Sequence, residues 1–424
     1  MKNLIVLLVV LPFCFFSCMV PDKLQIIVKP DMNISATDSI QLAIDKCAAN
    51  GGGTVVFLEG VYLTGGLEIK SNVVLQLVKG VVIRGSDQYR EYSKDALIFG
   101  ENATGFSIQG EGIIDGVDCF NPRGEEGFRG PHCIKLRNCS NFSIRDITIR
   151  NSGNWAINCR NCSDGVLEKV FIRGGHDGLH TRFCNNFKVT GCDFRTGDDA
   201  FAGNDNKDFF ISDCYVNTSC NGFRLGCLNL IVQKCSIKGP GEYVHKSQNR
   251  NNMLSAFVHF SPKDENPVLK SGNWTISDIT VENADHFYIY NFNNGLWQTG
   301  QPATSVSFER IKATGILTAF NVIGDSSRSF SLHINNSSFE FRDSSSIADS
   351  LIFEGVLLEL PTFLNISNFN SVELNDVVLT KNSAEALTKF SSGNSLTFRN
   401  THVTNDIGSD PFLVEMVDSV RNEN

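Results

Sequence analysis

His176-Asp177-Gly178-Leu179-His180, Gly197-Asp198-Asp199-Ala200-Phe201 and Cys220-Asn221-Gly222-Phe223-Arg224 are the three pieces whose reading decides the fold. Set at a step of 22 residues they align, with Asp177, Asp199 and Asn221 in one column and His176, Asp198 and Cys220 in the column before. Small residues (Gly178, Ala200, Gly222) follow, then large apolar ones (Leu179, Phe201, Phe223). A fixed period of this length marks a solenoid in which each turn buries itself against the next. Stacked strands lie about 4.8 Å apart, so residues one period apart become neighbours. Three carboxylates from two successive turns therefore crowd one spot beside a floor of Gly and Ala.

The repeat extends in both directions. Asn141-Phe142-Ser143-Ile144, Asp164-Gly165-Val166-Leu167, Asn186-Phe187-Lys188-Val189, Asp208-Phe209-Phe210-Ile211 and Asn229-Leu230-Ile231-Val232 recur at steps of 21 to 23, and Asn273-Trp274-Thr275-Ile276 follows two turns later. Each copy is an Asn or Asp turn residue entering an alternating β-rich stretch. The pattern predicts an all-β fold, a single-stranded right-handed parallel β-helix. Cysteines obey the same step: Cys139, Cys162 and Cys184 form one column, and Cys192, Cys214 and Cys235 another. Free cysteine is among the most buried residue types, so these columns read as stacked thiols rather than bridges.

An open β-helix needs a cap over its first turn. Ile40, Ala43, Ile44 and Cys47 recur at helical spacing, and Gly51-Gly52-Gly53 ends the run, so a helix over 39–48 is expected as the cap. Polar residues and Pro interrupt the period between Gly239 and Lys270, predicting a projecting loop. Residues 1–18 read as an export signal, with Lys2, an apolar run and Ser17-Cys18 resembling a lipoprotein cleavage site. The expected organisation is this signal at 1–18, a linker at 19–35, and one β-helix domain over 36–424 whose cap occupies 36–53. A monomer outside the cytoplasm is implied: a periplasmic or outer-membrane bacterial lipoprotein, touching a membrane only through its lipid anchor, or a secreted protein.

Net charge of −9 argues against a nucleic-acid partner, and an acidic polysaccharide would require a local basic patch. Such a patch is available. His176, His180, Arg182, Arg224, His245 and Lys246 gather around the carboxylate columns, and with Asn221 they are the candidate substrate-binding residues. Arg224 is placed to hold a substrate carboxylate by two parallel bonds. Tyr243, Trp155 and Trp297 are aromatics able to stack on sugar rings. No cofactor or metal is expected, since no cysteine pair finds partners at zinc spacing.

The chain resembles glycoside hydrolase family 28, the polygalacturonases and rhamnogalacturonan hydrolases. The resemblance rests on Ser39-Ile40-Gln41 through Gly51-Gly52-Gly53, on Gly60-Val61-Tyr62, on Leu63-Thr64-Gly65-Gly66 and on Gly110-Glu111-Gly112-Ile113-Ile114-Asp115-Gly116. Arg129-Gly130-Pro131, Gly175-His176-Asp177-Gly178 and Gly197-Asp198-Asp199 complete it. It implies that Asp198 is the general acid and that Asp177 and Asp199 activate water, in an exported hydrolase of a pectin-like acidic polysaccharide. Three positions depart from the family: His176 replaces an Asn, Asn221-Gly222 stands where the family has Gly-His-Gly, and no Arg-Ile-Lys follows. The residues alone point the same way, because glycoside hydrolysis needs one protonated and one ionised carboxyl. Stacking distance suggests a retaining separation whereas the family inverts, and both outcomes stay open. Two other readings share the fold: a polysaccharide lyase using Ca²⁺ on the three aspartates, and a non-catalytic glycan-binding protein.

Overall fold

Asn and Asp hold the turns because the backbone there is left-handed. Asn141, Asp164, Asn186, Asp208, Asn229 and Asn273 all have φ between 50 and 59°, a region that short polar side chains tolerate best after glycine. Their side chains then bond along the stack: Asn186 donates to Asp164 at 2.6 Å, Asn229 to Asp208 at 2.6 Å and Asn273 to Asn229 at 2.8 Å. The column read from the sequence is thus a hydrogen-bonded ladder.

The computed structural model describes residues 24–423 apart from 31–34, 263–265, 293–301, 343–351, 354–355, 358–362, 382–387 and 405–411. The signal segment and Trp297 lie outside the described residues. Strands wind into a right-handed parallel β-helix with three faces. One runs from Leu24–Val28 through Gly53–Phe57, Val73–Leu77, Ser107–Gly110, Ser140–Arg145 and Ser163–Glu168 to Asn185–Thr190. The second runs from Gly60–Thr64 through Ile113–Asp115, Thr148–Arg150, Phe171–Gly174 and Asp193–Thr196 to Tyr215–Thr218. The third runs from Leu67–Ile69 through Ala96–Glu101, His132–Arg137, Ile157–Arg160 and Leu179–Arg182 into Phe201–Ser212. Parallel pairing continues to Leu413–Glu423, which lies on Thr388–Arg399.

Register follows the period. Leu179, Phe201, Phe223 and Phe257 are successive partners on the third face, and the three rings stack at 4.7 and 5.0 Å inside the coil. Burying one such ring contributes roughly 1.5–3 kcal/mol. Strand Phe201–Ser212 passes from the third face to the first through a register shift between Gly203 and Asn206. Gly203 has φ of +124°, and a Cβ there would stand 1.7 Å from the Thr181 carbonyl oxygen. Only glycine makes that corner.

The cap is helix Thr37–Ala49, whose Ile40, Ala43, Ile44 and Cys47 are buried. Two expectations need correction. Leu24–Val28, placed in the linker, is a strand that pairs with Gly53–Phe57, because an end strand otherwise leaves unpaired backbone groups. The segment from Gly239 to Lys270 is not one loop: Met253–His259 returns as a buried strand beneath Phe223 and Arg224, so the projecting part is 239–252. The inserted loop lengthens the step from Phe223 to its partner Phe257 beyond the usual period, so the spacing rule does not find the strand.

All twelve described cysteines are free and buried. A thiol reagent is expected to modify none of them in the native protein and all of them after unfolding without reductant. Paired sulfurs in the unfolded, unreduced chain would contradict the stacked-thiol columns.

Candidate active site

The three aspartates lie at one corner, where the chain leaves the second face and enters the third, and their partners His180, Asn221 and Arg224 stand at the start of the third-face strands that follow. Asp177 sits between Phe171–Gly174 and Leu179–Arg182, and Asp198 and Asp199 sit between Asp193–Thr196 and Phe201–Ser212. Longer excursions at the same corner, 116–131 and 239–252, stand on either side. Strand register fixes the aspartates: Gly178 N–H donates to the Asp199 carbonyl at 2.8 Å, and Thr196 and Thr218 hydroxyls donate to the Asp198 carbonyl at 2.7 and 2.6 Å. A Cβ on Gly197 would stand 2.3 Å from the Val244 carbonyl oxygen, so glycine there lets the 239–252 loop close down beside Asp198.

The three aspartates come together as the period predicts, with carboxylate oxygens all within 4.8 Å of one another. Their surroundings differ. Asp177, whose side chain is 2% exposed, shares a 2.8 Å hydrogen bond with His180 Nδ1. Asp199, also 2% exposed, pairs with the Arg224 guanidinium and accepts from Asn221 Nδ2 at 2.7 Å and Asn221 N at 3.2 Å. Asp198 is 15% exposed; Arg129 Nη2 lies at 3.4 Å, His245 Nε2 at 3.5 Å, and the Asp199 N–H donates to it at 3.0 Å.

Burial, then the charges of Asp198 and Asp199, push the Asp177 carboxyl well above the usual carboxylate range. For Asp198 burial pushes upward, but the His245 hydrogen bond and the charges of His245, Arg129 and Arg224 win and hold it low. One raised and one lowered carboxyl is the division that acid–base chemistry needs. The raised member in the unliganded site is Asp177, whereas the family pattern places the acid at Asp198. Asp177 and Asp198 lie close enough that the ionisation of each depends on the other's.

The expected substrate-binding residues divide by location. Asn221 is fully buried, and between Asp199 and the Ser255 hydroxyl it serves the carboxylate rather than the groove. Arg224 likewise faces inward, against Asp199 and 4.1 Å from the Phe260 ring centroid, so the sequence expectation that it holds a substrate carboxylate gives way to ion pairing inside the cluster. His176 is buried between Phe128 and the Arg129 guanidinium. His180 lies flat on Trp155, ring centroids 3.6 Å apart. His245 reaches Asp198, Lys246 pairs with Asp118, and Arg182 lines a cavity of about 420 Å³ with Trp155 and His180. His245 and Lys246 line a second cavity of about 520 Å³ with Phe128 and Tyr243.

Arg129 is the residue of the cluster that sequence reading missed. Arg129, 7% exposed, joins Asp198, His176 and Glu126; its signal was the Arg129-Gly130-Pro131 motif, read only for fold. As for cations, Asp177, Asp198 and Asp199 present ligand atoms within 4.8 Å, as do Asp198, Cys220 and His245. Arg224 and Arg129 already neutralise the carboxylates, so an incoming cation would have to displace them.

Burial holds His132 and His176 neutral, pushed down to about 3; the Lys135 charge adds to this at His132 and the Arg129 charge at His176. The unfolded chain, with histidine near 6.5, takes up protons first as pH falls. The stability each neutral histidine contributes is present above about pH 6.5 and is lost as pH falls toward 3. From pH 7 to pH 5 each should withdraw about 2 kcal/mol. His132→Gln is therefore expected to reduce the pH 7-to-5 stability loss, read by urea denaturation, by about that amount. An unchanged pH dependence in this variant would contradict the buried neutral assignment.

Fold and site together define a right-handed parallel β-helix with a carboxylate cluster in a groove at one corner. Residues 52–228, which carry that cluster, match the family model described as Glycosyl hydrolases family 28, and the resemblance to that family holds across this segment. The exopolygalacturonase of Platanus acerifolia is 24% identical over 177 residues, 37% of this chain and 45% of that protein. The chain spans about half the length, or less, of the curated relatives it matches. Among solved structures, a hyperthermoactive exopolygalacturonase from Thermotoga maritima superposes with a TM-score of 0.59 at 16% identity, covering 89% of this chain and 91% of that one. The family 28 exopolygalacturonase of Yersinia enterocolitica does so with 0.58 at 16% identity, over 93% and 78%. These two likenesses establish the fold. Among the described residues no helix is long and apolar enough to cross a membrane.

Proposed function

We propose that this protein is an exported glycoside hydrolase that cleaves galacturonate-type bonds of pectin, acting as a monomer tethered through Cys18 or released. The observation that carries the reading is the carboxylate cluster itself, with one member raised, one lowered and one paired to a guanidinium. Asp198, the most exposed of the three, with Arg129 from the wall of one cavity and His245 from the wall of the other as its partners, is the group that meets the glycosidic oxygen. Its contacts to Arg129 and His245, at 3.4 and 3.5 Å, are long. A sugar entering between them loosens two of the interactions that hold its proton affinity low.

Asp198 then gives its proton to the leaving oxygen as the glycosidic C–O bond breaks. Water adds to the anomeric carbon, and its proton passes to Asp177 or Asp199. Asn221 and Arg224 hold Asp199 for that task, and His180 holds Asp177. The test is digestion of polygalacturonate by purified protein. New reducing ends, without the ultraviolet absorbance of an unsaturated uronate and without sensitivity to EDTA, are the expected products. Unsaturated products lost with EDTA would establish a lyase instead, and binding without cleavage a glycan-binding protein.

A further inference from the structure

His180 follows Asp177 by three residues, and its ring Nδ1 lies 2.8 Å from Asp177 Oδ2. The strand Leu179–Arg182 buries Leu179 and Thr181 and turns His180 to the outside of the coil. There the ring is clamped. It lies flat on Trp155, with centroids 3.6 Å apart and planes at 3°. Trp155 is fixed in turn, its N–H donating to Asn154 Oδ1 at 3.0 Å and its carbonyl accepting from the Ser152 hydroxyl at 3.1 Å. The second ring nitrogen, Nε2, makes no hydrogen bond to any of the described residues.

An attacking water needs a base that it can touch. Asp177 and Asp199 are each 2% exposed. Asp199 is also fully engaged, one oxygen accepting from Asn221 N and Nδ2 and the other from Arg224. His180 differs from both: its side chain is 12% exposed and lines the cavity of about 420 Å³ beside the cluster. Burial, then the Arg224 and His132 charges, push the His180 imidazole well below its usual range, whereas the Asp177 carboxyl is pushed up. A neutral imidazole carries one proton, so a proton arriving at Nε2 can be matched by one leaving Nδ1 for the carboxylate beyond. The ring is then a conduit, and Asp177 is where the proton comes to rest.

We propose that His180 is the catalytic base of the hydrolysis, its Nε2 taking the proton of the attacking water while its Nδ1 proton passes to Asp177. As the water oxygen bonds to the anomeric carbon, its O–H bond breaks toward Nε2, Nδ1–H crosses to Asp177 Oδ2, and the Asp198 proton goes to the leaving oxygen. One proton enters the His180–Asp177 pair and one leaves Asp198, so the charge of the cluster is unchanged. Exchange with solvent restores both groups before the next turnover. The relay rests on the hydrolase reading, and it gives a chemical task to a histidine that the sequence marked for substrate binding.

Kinetics on polygalacturonate test it. His180→Gln keeps an N–H for Asp177 but cannot pass a proton. It is expected to lower kcat roughly 10²–10⁴-fold, with little change in KM or in denaturant midpoint. Asp177→Asn turns an amide N–H toward Nδ1 and so holds the ring with its proton on Nε2. Combined with His180→Gln, it should cost little more than either alone. His180→Ala leaves a slot against Trp155, and added imidazole is expected to recover about 10-fold of the lost rate. An aryl galacturonide with a good leaving group relieves the acid and should not help His180→Gln. Near wild-type kcat in His180→Gln, its rescue by the aryl substrate, additive losses in the double variant, or a folded His180→Ala that imidazole does not recover overturns the relay while Asp198-dependent hydrolysis stands. A wild-type protein that binds polygalacturonate and releases no reducing ends overturns the hydrolase reading, and the relay with it.

Discussion

Asp198→Asn is expected to lower kcat on polygalacturonate by roughly 10²–10⁴-fold, the usual worth of general acid–base assistance, with a much smaller change in KM. Asparagine preserves size and can keep the contacts to Arg129, His245 and the Asp199 N–H in altered form, but it cannot give a proton. The acid matters most when the leaving group is poor. An aryl galacturonide with a good leaving group should therefore recover much of the loss in Asp198→Asn. It should recover little in Asp177→Asn, whose task is with water. The comparison is pointed because Asp177, not Asp198, is the carboxyl raised in the unliganded site. Rescue of Asp177→Asn in place of Asp198→Asn would exchange the two roles.

Arg224→Met should destabilise the protein by about 3–5 kcal/mol, since it leaves the buried carboxylate of Asp199 without its partner. Methionine fills much of the space against Phe260, so the loss reports charge rather than a cavity. Adding Asp199→Asn should restore more than half of that stability, because the uncompensated charge goes with it. Denaturant midpoints of the two single variants and the double variant measure this. Activity should fall in kcat and not specifically in KM, which separates a partner of Asp199 from a holder of substrate acid. A double variant as unstable as the sum of the singles would contradict the pairing.

The fold was legible because a β-helix writes its geometry into the chain at one interval. The left-handed Asn and Asp turn residues, the Phe201–Phe223–Phe257 stack and the cysteine columns all repeat at that step, and each becomes a physical neighbour in the structure. The meeting of Asp177, Asp198 and Asp199 was legible for the same reason. What surrounds them was not, because it arrives from segments that break the period. Arg129 comes from the 116–131 excursion and His245 from the 239–252 loop, and no spacing rule places either beside Asp198. Direction was also hidden. The sequence pointed Arg224 at a substrate carboxylate, but Asp199 draws its guanidinium back into the cluster. Strand Leu24–Val28 escaped because a single end strand has no earlier copy to align with.

Digestion of trigalacturonate in ¹⁸O-labelled water tests most directly whether the carboxylate cluster hydrolyses a glycosidic bond. One labelled oxygen at the new reducing end of one product, no unsaturated product, and loss of labelled product in Asp198→Asn are expected. Unlabelled unsaturated fragments, or intact trigalacturonate after prolonged incubation with protein that binds it, would contradict hydrolysis by this cluster.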